Sequence, residues 1–221
     1  LIQKNIKFFK LGLIIIDEQH KFGVKQRTML TEKTHKDTFF PHQIFLSATP
    51  IPRSLSLVLY QGIDYTLIDE LPKNRKPTVT KLIKDHQRDD MYAEIKDILK
   101  NSGQIYWVCS CIDYTEELEA EYVHGVYEKL KSIFNLNSIS FLHGRMTNSE
   151  NNKTINDFKS GKIQILVCTT IIEVGVNVEN AICIVVENAE RFGLSQLHQL
   201  RGRVGRGNKE SFCYLVYKDR Q

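Results

Sequence analysis

Apolar residues along this chain fall into short unbroken runs separated by longer amphipathic stretches. The runs are Leu11–Ile16, Gln43–Leu46, Gln104–Cys109, Ile139–Leu142, Ile163–Cys168, Ala181–Val186 and Ser211–Tyr217. Most do not alternate with polar residues. Both faces of each strand are therefore expected to be covered, as in a parallel sheet. Helical patterns lie between the runs. Across Tyr114–Phe134, the residues Leu118, Tyr122, Val126, Leu130 and Phe134 are spaced four apart and read as one apolar stripe. A second helix is expected from about Asn148 to Ser160. Thr147 and Glu150 form a capping box at its start, and Gly161 supplies its stop. Strand, helix and strand repeated in this order predict an α/β fold built from right-handed parallel units.

One stretch interrupts the rhythm. Asp69–Val79 carries two prolines among several charges and reads as a linker. It divides the chain at about residue 75. Residues 1–75 are expected to close one domain, and residues 76–221 to form a complete second one.

Composition narrows the class. The 221 residues are 42% hydrophobic and 25% charged, which suits a soluble globular protein. A net charge of +4 barely argues for nucleic acid, so the placement of basic residues matters more. No apolar run nears the roughly 20 residues of a membrane span, and no signal-peptide pattern opens the chain. The first residue is not Met, so the chain is expected to be part of something longer. Of five cysteines, Cys168, Cys183 and Cys213 sit inside apolar runs as small hydrophobes. Cys109 and Cys111 form C-x-C, which lacks the paired spacing of a zinc site. All five are read as reduced thiols, in keeping with a cytosolic protein.

Four motifs carry chemistry. Leu13–Ile16 ends in Asp17 and Glu18, with Gln19 and His20 behind them. Acids at the carboxyl edge of a parallel sheet face a ligand crevice. Asp17 can hold Mg²⁺ through oxygen, and Glu18 can polarise an attacking water. The plain alternative is a strand that ends in solvated acids. Ser47-Ala48-Thr49-Pro50 closes the next strand, where small hydroxyls can relay hydrogen bonds between a nucleotide and a neighbouring domain. Taken alone, the motif reads better as an ordinary strand-to-turn connection, helped by Pro50 and Pro52. Cys168-Thr169-Thr170 ends a further strand and leads to Gly175 and Asn177. Hydroxyls and N–H groups there suit the phosphates of nucleic acid, as they also suit a helix cap.

The fourth motif is the most specific. Gln199-Leu200-Arg201-Gly202-Arg203-Val204-Gly205-Arg206-Gly207 interleaves three arginines with three glycines. Bare backbone and planar guanidinium forks suit phosphate. An arginine aimed at a γ-phosphate stabilises the charge that spreads during transfer. A solvated basic loop has no need of this regularity. The glycines are not a dinucleotide fingerprint, because the order is wrong and no strand directly precedes them. His143-Gly144-Arg145-Met146 closes a strand and can touch a phosphate backbone, although His143 also fits a structural turn. Glu190–Gly193 with Gln196 and His198 lead into the Arg/Gly run. Tyr106 and Trp107 read as core rather than as a base-stacking platform.

In order, these motifs resemble the later signature motifs of superfamily 2 helicases. The finer resemblance is to RecG-type DNA helicases. It is carried by Asp17–Arg27 (DEQHKFGVKQR), Ala48–Arg53 (ATPIPR), Ile68–Pro72 (IDELP) and the run from Glu190 to Gly207. Transcription-repair coupling translocases share much of this pattern and are the alternative. A decayed module that binds nucleic acid without hydrolysis is the alternative from another class. The resemblance implies the end of one RecA-like domain followed by a second RecA-like domain. It implies ATP and Mg²⁺ as cofactors, branched or duplex DNA as partner, and a monomer in the cytoplasm of a bacterium or an organelle of bacterial origin. By resemblance, Asp17 binds Mg²⁺ and Glu18 activates water. His20, Ser47, Thr49, Gly175, Asn177 and Gln199 serve ATP binding and coupling. Thr169, Thr170, His143, Arg145 and Arg201 face DNA, and Arg203 and Arg206 reach the phosphates. Two departures stand out. Asn177 replaces the family's usual Asp. No G-x-x-x-x-G-K-[ST] occurs in the 221 residues, so the phosphate-cradling loop is expected upstream of Leu1 or missing.

Overall fold

The computed structural model describes residues 11–17, 41–47, 66–70, 76–110, 116–169 and 178–218, with Ile6, Phe8 and Asp64 as isolated positions. Two compact units divide between Leu67 and Ile68. In the first, β1 (Leu13–Ile16) and β2 (His42–Phe45) pair in parallel, with Leu13 opposite His42 and Ile16 opposite Phe45. Ile14 and Ile16 are buried, while Leu13 and Ile15 are exposed.

The second unit runs β3 (Val79–Lys84), α1 (Asp89–Lys100), β4 (Gln104–Val108), α2 (Glu116–Phe134), β5 (Ile139–Leu142), α3 (Asn148–Lys159), β6 (Ile165–Cys168), β7 (Ala181–Val186), α4 (Leu194–Arg201) and β8 (Phe212–Tyr217). A 3-10 turn, Ala189–Arg191, lies between β7 and α4. The six strands form one sheet in the order β3-β8-β7-β4-β6-β5. Every neighbouring pair is parallel.

The unbroken apolar runs are explained by two cores. All of β4 is buried. Ile105 and Trp107 point to one face and pack with Met91 and Ile95 of α1 and with Val123 and Leu130 of α2. Tyr106 and Val108 point to the other and pack with Phe158 of α3 and Leu200 of α4. Period-two alternation therefore feeds two apolar layers. Each large side chain buried this way contributes roughly 2–3 kcal/mol. Tyr106 and Trp107 are core, as their strand setting predicts. Cys109, Cys168, Cys183 and Cys213 are buried free thiols, and Cys111 lies outside the described residues.

The capping box at α3 is present. The Glu150 N–H donates to Thr147 Oγ1 at 3.3 Å, and the Thr147 N–H donates to Glu150 Oε2 at 2.9 Å. Gly161 follows the helix with φ of +80°.

The α2 stripe needs correction. Leu118 is half exposed, and Val123, absent from the expected stripe, is fully buried. A spacing of four residues slips by about 40° per step on a helix of 3.6 residues per turn. Leu118 thus lies about 160° around the helix from Phe134. Two elements went unread, β3 and α1. The linker ends where Val79 opens β3, an edge strand whose only neighbour in the sheet is β8. Lysines at 81 and 84 dilute its apolar pattern. No described helix is long and apolar enough to cross a membrane.

Two glycines predict opposite responses to the same substitution. A Cβ on Gly103 would lie 2.6 Å from Ile98 Cγ2 and 2.9 Å from the Ile98 carbonyl. Gly103→Ala is expected to cost about 1–3 kcal/mol through overpacking. A Cβ on Gly125, inside α2, would meet nothing within 4 Å. Gly125→Ala is expected to stabilise by about 0.5–1 kcal/mol. Urea unfolding of the two variants would check both signs.

Candidate nucleotide and nucleic-acid site

The carboxyl ends of β1 and β2 open on one edge. Asp17 directly follows β1 and is exposed, and Ser47 lies two residues beyond β2 and is also exposed. The Leu46 N–H donates to the Ile16 carbonyl at 2.8 Å, so the two chain ends continue side by side past the strands. A carboxylate and a hydroxyl at neighbouring strand ends are oxygen donors of the kind a hard divalent cation takes. Glu18, His20 and Thr49 lie outside the described residues.

In the second unit the carboxyl ends of β5 and β6 carry His143 and Thr169, while the Arg/Gly run packs on Thr78 and Ser211, just before β3 and β8. Thr169 follows β6, with its side chain buried. Thr170, Gly175 and Asn177 lie outside the described residues. His143 follows β5, and its ring stacks on Phe141 with centroids 5.7 Å apart. Its Nδ1 accepts from the Arg145 N–H at 3.3 Å. Arg145 is exposed and pairs with Glu117 of α2 at 3.5 Å.

The Arg/Gly run leaves the end of α4. That helix opens with the Gly193 N–H donating to Gln196 Oε1 at 3.1 Å. Gln199 is half-buried. Arg201 Nη2 lies 3.0 Å from His198 Nδ1. Past the helix the run is pinned at its middle. Val204 is fully buried, and Gly205 has φ of +72°. A Cβ on Gly205 would collide with the Ser211 hydroxyl. Thr78 Oγ1 and Ser211 Oγ are 3.0 Å apart beneath it. Arg203, half-buried, and Arg206, exposed, flank this anchor. The Arg206 Nε–H reaches the Gly202 carbonyl at 3.5 Å.

One cluster was missed in the sequence. Arg88 grips Glu187 at the end of β7 with both terminal nitrogens, Nη1 to Oε1 at 2.6 Å and Nη2 to Oε2 at 2.7 Å. The Trp107 indole N–H donates to Glu187 Oε1 at 3.0 Å. Arg88 also donates to Asp85, from Nη2 to Oδ1 and from Nε to the carbonyl at 3.2 Å. The side chains of Arg88 and Glu187 are only 14% and 6% exposed. Burial alone would lower the Arg88 pKa. The hydrogen bonds and charge of Glu187, joined by Asp85, outweigh burial and raise it. The Arg88 hydrogen bond in turn holds the Asp85 carboxyl below the usual range, against a smaller opposing effect of burial. The cluster borders a cavity of about 660 Å³ also lined by Tyr92, Tyr122, Lys129 and Lys218. The available signal was the apolar strand Ala181–Val186 ending in an acid, as Leu13–Ile16 does.

Among known families, the helicase conserved C-terminal domain matches residues 90–208. The chain belongs to this family. The helicase domain's match spans α1 through the Arg/Gly run. Over 219 residues, 99% of the chain, it is 48% identical to the ATP-dependent DNA helicase RecG of Haemophilus influenzae. Identity to the RecG of Escherichia coli K12 is 46% over the same length. The chain spans 32% of the length of these relatives. RecG bound to a three-way DNA junction covers 100% of this helicase chain at a TM-score of 0.74 and 38% identity, and the chain covers 28% of it. The Mycobacterium smegmatis helicase Lhr, bound to single-stranded DNA and AMP-PNP, matches 95% of the chain at a TM-score of 0.63 and 20% identity, with 29% of Lhr covered. That likeness is one of fold. The parallel strand pairing and the helix-covered six-stranded sheet are those of RecA-like helicase domains.

Two outcomes follow from the buried cluster. Glu187→Ala leaves the Trp107 N–H without its acceptor and Arg88 with Asp85 alone. Unfolding free energy should drop by about 3 kcal/mol, measured in urea. Acid should weaken the fold as well. Asp85 is held low by Arg88, and Glu94 is held low by Lys81 and then by Tyr214. Carboxyls lowered in the folded state contribute stability that is complete above the unfolded value, about 4, and is lost as pH falls through the folded value. The urea midpoint should therefore fall below about pH 4. The pair Asp85→Asn, Glu94→Gln should start lower at neutral pH and fall less.

Proposed function

We propose that this chain is the motor portion of an ATP-dependent DNA translocase that remodels branched DNA, such as stalled forks and Holliday junctions, in recombination and repair. The observation that carries this reading is the continuous 48% identity to a RecG helicase over 99% of the chain. That stretch holds both the acid-ended strand and the Arg/Gly run. Residues 1–75 and 76–221 act as parts of two lobes whose relative movement follows the nucleotide. The working site is the bacterial cytosol or nucleoid, or an organelle of bacterial origin, and the protein acts as a monomer.

The side chains divide the chemistry. Asp17 holds Mg²⁺, which neutralises phosphate charge when bound. Glu18 orients and activates the attacking water. Arg203 and Arg206 stabilise the charge that spreads over the transferring phosphoryl group. Their support is the buried anchor at Val204 and Gly205, which fixes the backbone between the two arginines. His20, Ser47, Thr49, Gly175, Asn177 and Gln199 link nucleotide state to DNA contact. Thr170, His143, Arg145 and Arg201 meet the DNA backbone, where hydroxyls and cations position a duplex without reading its sequence, while Thr169 is buried at the end of β6.

The test uses the full-length protein. Glu18→Gln should bind ATP normally and hydrolyse none of it, and full turnover in that variant would remove Glu18 from the mechanism. Arg206→Ala should lower DNA-stimulated turnover by about 10³-fold, the usual scale for an arginine finger. A loss below about tenfold would assign the role elsewhere.

A further inference from the structure

Tyr106 is 1% exposed, and its hydroxyl has no hydrogen-bond partner among the described residues. A phenol can both donate and accept, and leaving one unused in a core costs stability. The nearby thiol does not relieve it, because Cys168 Sγ already meets the carbonyls of Trp107 and Leu166 at 3.6 Å. Phenylalanine would fill the same volume without the cost. A hydroxyl kept here needs a use in another state of the molecule.

The surroundings indicate which use. Tyr106 shares its core cluster with Leu200 and Val204, the two apolar residues of the Arg/Gly run. Its ring packs on Phe158 of α3 with centroids 4.9 Å apart, which holds the phenol on the α3–α4 side of the sheet. Burial pushes the phenol well above the ordinary tyrosine range, and the positive charges of Arg203 and Arg206 pull it back. Both arginines are therefore within electrostatic reach of this oxygen. Arg203 directly precedes the buried Val204 and is the less exposed of the two.

We infer that the Tyr106 hydroxyl is a positioning group for the Arg/Gly run, accepting a hydrogen bond from the Arg203 guanidinium when the run engages a nucleoside triphosphate. Arginine has only donors, five of them in a fixed fork. One N–H given to a rigid buried acceptor fixes the plane of that fork and leaves the others for phosphate. The oxygen is unpartnered in this structure and becomes partnered when the run engages the triphosphate. This assignment deepens the motor reading and rests on it.

The test compares full-length wild type, Tyr106→Phe and Tyr92→Phe. The Tyr92 hydroxyl is also buried, but on the opposite face of the sheet, against the α1 and α2 layer. Tyr106→Phe should keep or raise the melting temperature without nucleotide. Its DNA-stimulated kcat should fall about tenfold or more, as expected for one lost hydrogen bond to a charged group. The KM for ATP and the affinity for duplex DNA should stay near wild type, and Tyr92→Phe should keep wild-type kcat. An unchanged kcat in Tyr106→Phe overturns the assignment. So does a fall that tracks a lowered melting temperature, or an equal fall in Tyr92→Phe. Absence of DNA-stimulated turnover in the wild type would sink the motor reading and this assignment together. Turnover in the wild type with full retention in Tyr106→Phe sinks this assignment alone.

Discussion

The central strand β4 has no solvent face. Gln104 through Val108 are buried, with a strand on either side and a helical layer above and below. An unpartnered polar group placed in that strand would cost about 1–3 kcal/mol. Gln104, at its first residue, meets the rule through its amide nitrogen, while its Oε1 and the Tyr106 hydroxyl have no partner among the described residues. The Gln104 amide donates to the Phe158 and Ile163 carbonyls and ties the end of α3 to the sheet. At the carboxyl edge Ser110, Thr169 and Glu187 follow their strands, where the backbone is free to turn. Ligands of open parallel sheets bind at this edge for the same reason.

Glu187 carries that constraint one step further. A carboxylate 6% exposed needs a partner of equal quality, and the bidentate Arg88 fork with the Trp107 N–H supplies it. The pair fixes the end of β7 against the start of α1. The next residue, Asn188, takes a left-handed conformation at φ of +49° and donates to the Tyr122 hydroxyl at 3.2 Å. The 3-10 turn leaves from this doubly held point and leads through α4 to the Arg/Gly run. Buried ion pairs contribute little net stability and much geometric definition. Here the definition falls on the segment that carries the arginines.

Much of this was legible in the sequence, for local reasons. Thr147 with Glu150 and Gly161 bounded α3 because caps are contacts between near neighbours. Unbroken apolar runs located the buried strands because each such strand needs two apolar faces. Where the reading failed, the information was not local. The stripe assigned to α2 drifted because a spacing of four is not the helical period, which put Leu118 in solvent and overlooked Val123. β3 was hidden by its edge position and its lysines. Arg88 and Glu187 are 99 residues apart, and nothing in the spacing joins them. The acid at the end of Ala181–Val186 was visible, yet its partner depended on β7 and β3 lying one strand apart, on either side of β8. Of the site residues, Asp17 and Ser47 could be placed on one edge through parallel pairing alone, whereas burial of Thr169 depends on how the sheet is covered.

The Arg/Gly run shows why composition and structure must be read together. Read as sequence, three arginines interleaved with three glycines suggest guanidinium forks for phosphate on a bare backbone. Read with burial, the residues between the arginines have different duties. Val204 is fully buried against the layer beneath, and Gly205 approaches Ser211 so closely, at positive φ, that no side chain fits. A loop anchored at both of these residues is not free to wander. Its entropy is spent in folding. Interleaving thus reflects alternation between residues that fasten the backbone and residues that extend from it. Fixed donors aimed at developing charge stabilise a transition state more than mobile ones, because they need no reorganisation. The glycines, which by composition alone would argue for flexibility, are what allow the run to be rigid.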